Sequence, residues 1–217
     1  MVRLDGKSRA LAICFAAVAG FVDSLGFLTT GGFFVSFMSG NSTRLGIGLA
    51  HGHPTVGLAG VLLASFVFGV VIGGLAGRLA GIWRRTAILA LVTCLLALAY
   101  ALHGAGAGLW LAVPLAMAMG AENTIFAEDG DVRVGLTYMT GTLVKMGKRI
   151  TVALCGGDRW GWVPFFLLWA GLTCGAVLGA FCFERLGIEA LLFAIGAMAV
   201  FTVVSLTTDL NARRVCR

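Results

Sequence analysis

The chain has 217 residues, of which 59% are hydrophobic and only 12% are charged, and its mean hydropathy is +0.97. A soluble globular domain carries about 25% charged residues, so the composition excludes an ordinary soluble protein and predicts an all-α integral membrane protein. The formal net charge of +6 does not indicate nucleic-acid binding, because most basic residues flank apolar runs, where they act as topology signals.

Apolar runs near the length needed to cross a bilayer, about 20 residues, alternate with short turns along the chain. In chain order, spans are predicted at 10–28, 56–77, 86–102, 109–126, 162–183 and 188–206, with two more polar segments at 35–50 and 136–154. The first run continues past Ala17-Val18-Ala19, which resembles a cleavage site, so we interpret it as an uncleaved span rather than a signal peptide.

The two polar segments contain the same motif. Val35–Gly46 reads VSFMSGNSTRLG, and Leu136–Gly147 reads LTYMTGTLVKMG, so hydroxyl, ring, methionine, glycine and cation recur at an offset of 101. Asp23-Ser24 matches Asn123-Thr124 at an offset of 100. A Gly-x3-Gly-x3-Gly ladder recurs at an offset of 102, as Gly69, Gly73 and Gly77 and again as Gly171, Gly175 and Gly179. Recurrence in the same order predicts a duplicated chain, with a first repeat at 1–106 and a second at 107–217 forming one membrane domain.

The distribution of basic residues discriminates between two topologies. If the motif segments are re-entrant or broken helices, each half has three spans and the halves are inverted-topology repeats. With the N-terminus in the cytoplasm, this scheme also places there the basic residues that follow spans, namely Arg78, Arg84, Arg85, Arg133, Arg159, Arg213, Arg214 and Arg217. The positive-inside rule favours that arrangement, with both termini cytoplasmic. The alternative is eight full spans and parallel repeats.

Each motif predicts a half-helix that starts near the bilayer centre. Ser39 and Thr140 are candidate N-caps, and the free N–H groups of such a helix start bind anions. Arg44 and Lys145 follow the motif glycines by four residues and so share a helical face with them. The predicted substrate-binding residues are Ser39, Gly40, Asn41, Thr43, Arg44, Asn123, Thr140, Gly141, Thr142 and Lys145.

Two carboxylates, Asp23 and Glu122, lie late in the spans that precede the motifs. Intramembrane carboxylates usually face a cavity or a partner. Two compatible interpretations follow. In the first, Asp23 or Glu122 couples protons to transport; in the second, the two carboxylates pair with Arg44 and Lys145 and so fix the fold.

The remaining features are open to less specific interpretations. The glycine ladders let helices approach closely, either within the fold or in a homodimer. Phe33, Phe34, Phe37 and Tyr138 could gate a pore or simply pack. His51 and His53 lack a third metal ligand, and the six cysteines show no metal-ligand spacing, so no metal site, cofactor or disulfide framework is expected. No catalytic signature is present, which argues against an enzyme.

The first block, GFVDSLG at 20–26 followed by FVSFMSGNST at 34–43, resembles the YoaK-like family of bacterial multi-pass membrane proteins. The second block, LTYMTGTLVK at 136–145, resembles the other signature of that family. Glu122-Asn123 departs from the amide pair usual there, with Glu in place of Gln. The resemblance covers essentially the whole chain and implies the bacterial cytoplasmic membrane, but the family is a domain of unknown function and implies no substrate.

The sequence therefore predicts a small-solute transporter or channel, with a site for a small anion or carboxylate at the midplane between the two motifs. Its partners would be the lipid bilayer and the transported solute. A membrane enzyme or cofactor-binding protein, and a membrane scaffold or assembly factor, are the alternatives.

Overall fold

A computed structural model describes residues 5–128, 131–132 and 135–215 of the chain. Side chains at 127–128, 131–132 and 212–215 are not described. Three basic residues used to predict the topology lie outside the described residues: Arg3 of the N-terminus that is expected to be cytoplasmic, Arg133 and Arg217. Cys216 and the side chains of Arg213 and Arg214 lie outside them as well.

The described chain is built almost entirely of helices. They are α1 (Gly6–Thr29), α2 (Met38–His51), α3 (Val56–Leu79), α4 (Arg84–Gly104), α5 (Ala112–Glu122), α6 (Met139–Leu154), α7 (Val163–Leu186) and α8 (Leu191–Val215). Short 3₁₀ turns at Gly81–Trp83, Gly108–Leu111 and Gly187–Ala190 precede α4, α5 and α8. Two-residue strands, β1 (Ala127–Glu128) and β2 (Asp131–Val132), pair antiparallel. The prediction of an all-α integral membrane protein is confirmed.

Four stretches are long and apolar enough to cross a membrane: Gly6–Thr29, Val56–Leu79, Gly81–Gly104 and Val163–Asn211. The last has 49 residues and holds both α7 and α8, which Gly187 separates with a φ of 62°. The predicted span at 109–126 is shorter than expected. Its α-helix ends at Glu122, and Gly108–Glu122 counts as a shorter apolar helix.

Helix α5 runs through the centre of the protein, where every residue from 118 to 126 is buried. Leu115 and Met119 are fully buried there, as is Phe15 of α1 to within 1%. The ring of Phe15 lies 6.1 Å from that of Phe126, just beyond α5. Arg84 of α4 donates to the carbonyl of Thr124 at 2.9 Å, which satisfies a backbone acceptor where the helix has just ended.

The second glycine ladder packs against α1. A methyl group at Gly175 would clash with the carbonyl of Ala17, and one at Gly179 with the backbone of Phe21, while Gly171 faces Ile13. The contacts advance together along both helices, so α1 and α7 run parallel. The first ladder packs in the same way on α5, with Gly69 against Met117 and Gly73 against Ala121. Both ladders are thus occupied within one chain, which favours packing within the fold over the alternative of a homodimer through these faces.

Helices α4 and α8 run antiparallel and are joined by polar side chains. The hydroxyl of Thr86 lies 2.8 Å from that of Ser205 and 2.7 Å from the carboxylate of Asp209. Further along α4, the hydroxyls of Thr93 and Thr202 lie 3.3 Å apart. Interhelical hydrogen bonds of this kind hold membrane helices together where apolar surfaces give little preference.

The order of elements repeats from α1–α4 to α5–α8. The contacts of the two glycine ladders, however, correspond in a different register from the one that the sequence alignment predicts. Thr124 and Ala121 face Gly73, whereas Ser24 and Phe21 face Gly179. These contacts show that Gly73 corresponds to Gly179. The sequence alignment instead pairs Gly73 with Gly175, which lies one helical turn earlier in α7. The division into halves at 1–106 and 107–217 remains a prediction, which the recurring contacts favour.

Candidate functional site

The loop before α2 is folded back along α1 and held there by Asp23. Gly31 and Gly32, with φ of 69° and 113°, reverse the chain in a conformation that other residues rarely adopt. Asp23 Oδ1 then accepts the backbone N–H groups of Val35 at 2.8 Å and Ser36 at 2.7 Å. The carboxylate is therefore engaged by the loop, which argues against the interpretation that Asp23 pairs with Arg44 or Lys145.

Asn41 closes the same loop from the other side. Its side chain is fully buried, accepts the N–H of Phe34 at 3.0 Å and donates to the carbonyl of Phe34 at 2.6 Å. An amide that satisfies both backbone groups of one residue fixes that residue as a strand neighbour would. Asn41 thus fixes the position of Phe34, and its predicted contact with a substrate stays a prediction.

The loop before α6 is held in the corresponding way by Asn123. Its Oδ1 accepts the backbone N–H of Thr137 at 3.4 Å, and its Nδ2 donates to the hydroxyl of Thr137 at 3.0 Å and to the carbonyl of Met119 at 2.9 Å. In the sequence alignment Asn123 corresponds to Asp23 and Thr137 to Ser36. The same contact therefore positions the start of each motif helix.

Both motif helices start earlier than the hydroxyl residues predict. The N-cap of α2 is Phe37 and that of α6 is Tyr138, and neither makes a side-chain capping bond. Ser39 and Thr140 lie in the first turn, which corrects their assignment as N-caps. The N–H groups of Ser39, Gly40, Thr140 and Gly141 have no acceptor in the part of the chain that the structure describes, as expected for the first turn of a helix.

The two helix starts lie on one cavity of about 410 Å³, which we call the helix-start cavity. It is lined by Ser36, Phe37, Met38 and Ser39 from the first motif, by Thr137, Tyr138, Met139, Thr140 and Gly141 from the second, and by Phe66 of α3. Ser39, Thr140 and Gly141 are therefore brought together as predicted. Sequence reasoning named Phe37 and Tyr138 only as possible gates and did not predict the other lining residues, which are Ser36, Met38, Phe66, Thr137 and Met139. The loop positions could have been found as the part of the motif that precedes the helix start, whereas nothing in the sequence marks Phe66.

Gly40, Thr43 and Arg44 line a different cavity, of about 760 Å³, on the far side of the first turn of α2. We call it the Arg44 cleft; its walls are Gly31, Phe33, Phe34, Gly40, Thr43, Arg44, Ile47, Gly48, His51, His53 and Thr55. The Arg44 guanidinium lies 5.1 Å from the ring centre of Phe33 and 6.0 Å from that of Phe27, within cation–π range. Arg44 thus belongs to α2, whose first turn lines the helix-start cavity, but Arg44 itself does not line that cavity.

The last two predicted ligands contribute to neither cavity. Lys145 is exposed on α6, and Thr142 is buried with its hydroxyl donating to the carbonyl of Tyr138 at 3.1 Å. The pairing of Arg44 and Lys145 across one site is therefore not made.

Glu122 is the most unusual side chain in the described part of the molecule. It is fully buried at the end of α5, and neither carboxylate oxygen has a hydrogen-bond partner among the residues that the structure describes. Leaving a buried polar group unsatisfied costs about 1–3 kcal/mol, and more for a charged one. Such a group needs an explanation other than stability.

Metal chemistry has little support among the described residues. No three His, Cys, Asp or Glu side chains gather there in a way that could hold a metal ion. His53 Nδ1 lies 2.9 Å from the hydroxyl of Thr55, so this histidine is oriented by its neighbour. Cys14, Cys94, Cys155, Cys174 and Cys182 are free thiols.

Comparison with known proteins agrees with the membrane fold. The model of the family described as protein of unknown function (DUF1275) matches residues 11–204. The chain belongs to this family. It is also 35% identical over 185 residues to a UPF0700 transmembrane protein of Rhizobium meliloti (strain 1021), covering 85% of this chain and 80% of that relative. Both findings are consistent with the YoaK-like resemblance. No solved structure matches the DUF1275 chain.

Proposed function

We propose that this DUF1275 protein is a membrane transporter or channel for a small anion or carboxylate, with its substrate site in the helix-start cavity. The observation that carries the proposal is that the first turns of α2 and α6 both line that cavity. Each helix start carries about half a positive charge. The backbone N–H groups of Ser39, Thr140 and Gly141, which line the cavity, lack an acceptor within the described residues. Two converging helix starts form an anion site without any charged side chain.

The motif helices are best explained as re-entrant. Asp23 lies six residues before the end of α1, so its bonds to Val35 and Ser36 draw the loop back by about 9 Å at 1.5 Å per residue. Helix α2 has 14 residues and is about 21 Å long, short of the roughly 30 Å apolar core of a bilayer. It therefore starts inside the membrane and returns to the side where α1 ends.

Helix directions favour inverted repeats over parallel ones. If α1–α4 correspond to α5–α8, then α4 corresponds to α8, and these two helices run antiparallel through the Thr86–Ser205 and Thr93–Thr202 contacts. An operation that exchanges antiparallel helices reverses direction across the membrane, which is the definition of an inverted repeat. The second motif helix then enters from the side opposite to the first, and the two starts meet near the midplane.

The location proposed is the bacterial cytoplasmic membrane, with both termini in the cytoplasm. In the six-span arrangement α1 begins and α3 ends on the same side, which gathers Lys7, Arg78, Arg84 and Arg85. The positive-inside rule assigns that side to the cytoplasm. The transmembrane relative from Rhizobium meliloti supports a bacterial membrane.

Glu122 is the better candidate for proton coupling, because Asp23 is engaged by two backbone N–H groups. Within the described parts of the chain the Glu122 carboxyl has no such partner, so taking up a proton there breaks no hydrogen bond with those parts. Its neighbour Asn123 holds Thr137 at the wall of the helix-start cavity. Protonation of Glu122 would in this way be linked to the site through one residue.

A ligand screen tests the site assignment. Small anions, including formate, acetate and nitrate, are added to the purified protein, and the thermal midpoint of unfolding is measured. A ligand that binds only the folded state raises the free energy of unfolding by mass action, by about 2.7 kcal/mol at a concentration of 100 times its Kd, and so raises the thermal midpoint. Gly141 has open space beside it, so Gly141→Leu fills the cavity and should abolish the rise. A rise that persists in Gly141→Leu would refute the site, and the absence of a rise with every anion would refute the proposal.

A further inference from the structure

The Arg44 guanidinium makes no hydrogen bond or ion pair within the described parts of the chain, and it lies over the faces of Phe33 and Phe27. A guanidinium carries five N–H donors in a planar fork that matches the oxygens of a carboxylate or phosphate. A cation of a membrane protein that faces a cavity without an ionic partner often marks a ligand or ion pathway.

The Arg44 cleft has the size and lining of a small-molecule site. Its volume of about 760 Å³ lies within the range of about 300–1,000 Å³ usual for ligand pockets. The walls next to Arg44 are apolar and aromatic, from Phe33, Phe34 and Ile47, while Thr43 and Thr55 add hydroxyl groups. One cation set among apolar walls suits an anion that carries an apolar body.

An aromatic pair separates this cleft from the helix-start cavity. Phe34 lines the cleft and Phe37 lines the helix-start cavity, and their rings meet edge to face with centroids 5.2 Å apart. Gly40 leaves room for the pair, because a methyl group there would lie 2.6 Å from Cδ1 of Phe37 and 3.0 Å from Cδ2 of Phe34. The two cavities thus stand in series along α2, with the rings between them.

We infer that the Arg44 cleft is a second binding site, for an organic carboxylate with an apolar body, which Arg44 holds through its guanidinium. As an entry site for the transported anion it rests on the proposed transport function; as a binding site it does not. The phosphate of an anionic lipid presents similar oxygens, so the experiment must distinguish a soluble ligand from a headgroup.

Binding is measured by titration calorimetry on the full-length protein in phosphatidylcholine nanodiscs, with benzoate and acetate as probes. Benzoate should bind at least tenfold more tightly than acetate, because only its ring gains from the apolar walls. Arg44→Gln should weaken benzoate binding at least tenfold, and Arg44→Lys should weaken it less, since the charge remains but the fork is lost. Lys145→Gln is the matched control, because Lys145 is the motif cation of α6 and lines neither cavity; it should leave binding unchanged.

Several results would overturn the assignment. Equal benzoate affinity in Arg44→Gln and the parent protein would show that the ligand binds elsewhere. Equal affinity for acetate and benzoate would contradict the claim that the ligand has an apolar body. If no benzoate binds but phosphatidylglycerol stabilises the parent protein and not Arg44→Gln, the site belongs to a lipid headgroup. Gly141→Leu separates this inference from the transport proposal: benzoate should still bind to that variant even though its helix-start cavity is filled.

Discussion

Asp23 and Ser36 are joined by a hydrogen bond of 2.7 Å from the Ser36 backbone N–H to the Asp23 carboxylate. The corresponding residues of the second motif, Asn123 and Thr137, make the same contact through an amide oxygen. The common feature is a side-chain oxygen that holds the chain just before a motif helix begins. A negative charge is not needed for that role, since an amide performs it in the second copy.

Asp23→Asn should therefore fold normally, because its amide oxygen can still accept the N–H groups of Val35 and Ser36. Asp23→Ala removes both bonds, each worth about 1.5–3 kcal/mol when the acceptor is charged, and should cost about 3 kcal/mol or more. Thermal unfolding in detergent measures both. A strongly destabilised Asp23→Asn would show that the charge itself holds the loop.

The reciprocal substitution should behave differently. Asn123 donates to the Met119 carbonyl and the Thr137 hydroxyl, and a carboxylate cannot donate. Asn123→Asp should thus destabilise the protein even though Asp23→Asn does not. Equal effects of the two substitutions would contradict the roles assigned to these side chains.

The motif glycines offer a matched pair with opposite surroundings. A methyl group at Gly40 would press against Phe37 and Phe34, whereas one at Gly141 meets open space. Gly141→Ala should be neutral or stabilising by up to about 0.5–1 kcal/mol, from the higher helix propensity of alanine. Gly40→Ala should be destabilising, because overpacking costs about 1–3 kcal/mol. Thermal midpoints that fall equally in both variants would contradict the packing of the aromatic pair.

Replacing Glu122 should separate stability from function. Glu122→Met removes an unpartnered buried carboxyl and should stabilise the fold by about 1–3 kcal/mol. If Glu122 couples protons, the same variant should lose any uptake that depends on a pH gradient. Met119→Leu, at another fully buried position of α5, is the control and should change neither by much. Gradient-driven uptake that survives in Glu122→Met would exclude Glu122 from coupling.

The glycine ladders allow a further comparison of two glycines in different surroundings. Gly175→Ala would place a methyl group against the carbonyl of Ala17, whereas Gly74, which follows Gly73 of the first ladder, faces open space. Gly175→Ala should lower the free energy of unfolding by about 1–3 kcal/mol, and Gly74→Ala should not lower it. If Gly175→Ala is tolerated equally well in a chemical unfolding series, α1 and α7 do not pack as described.

The sequence predicts the helices well but not their register. Val56–Leu79 starts where the apolar run starts, because composition sets the length of a membrane helix. The sequence alignment of the two glycine ladders is wrong by one helical turn. A Gly-x3-Gly-x3-Gly motif repeats every four residues, so it matches equally well after a shift of four. Helix α6 has 16 residues against 14 in α2, and the loop after α6, at 155–162, is also longer than the loop after α2, at 52–55. This added length agrees with the contacts of Gly73 with Thr124 and of Gly179 with Ser24, which match Gly73 with Gly179.

The site is predicted only in part, for reasons of geometry. The helix starts could be predicted because hydroxyl and glycine residues in an apolar chain are unusual, and they do meet at one cavity. The partners of Asp23 and Asn41 could not, because backbone groups of a folded-back loop carry no sequence signal. Helical spacing predicts that Gly40 and Arg44 share a site, and they do line one cavity. The Phe34–Phe37 pair separates that cavity from the helix-start cavity, which helical spacing does not predict.

The most direct test of the central claim is anion flux into proteoliposomes reconstituted with the protein. Gly141→Leu fills the helix-start cavity, and Gly147→Leu is the matched control, since it makes the same change on α6 where a side chain also meets open space but does not line the cavity. We expect acetate or formate uptake by the parent protein and by Gly147→Leu, and uptake no faster than in empty liposomes for Gly141→Leu. Equal uptake by the two variants, or none by the parent protein, would contradict a transport site at the two helix starts.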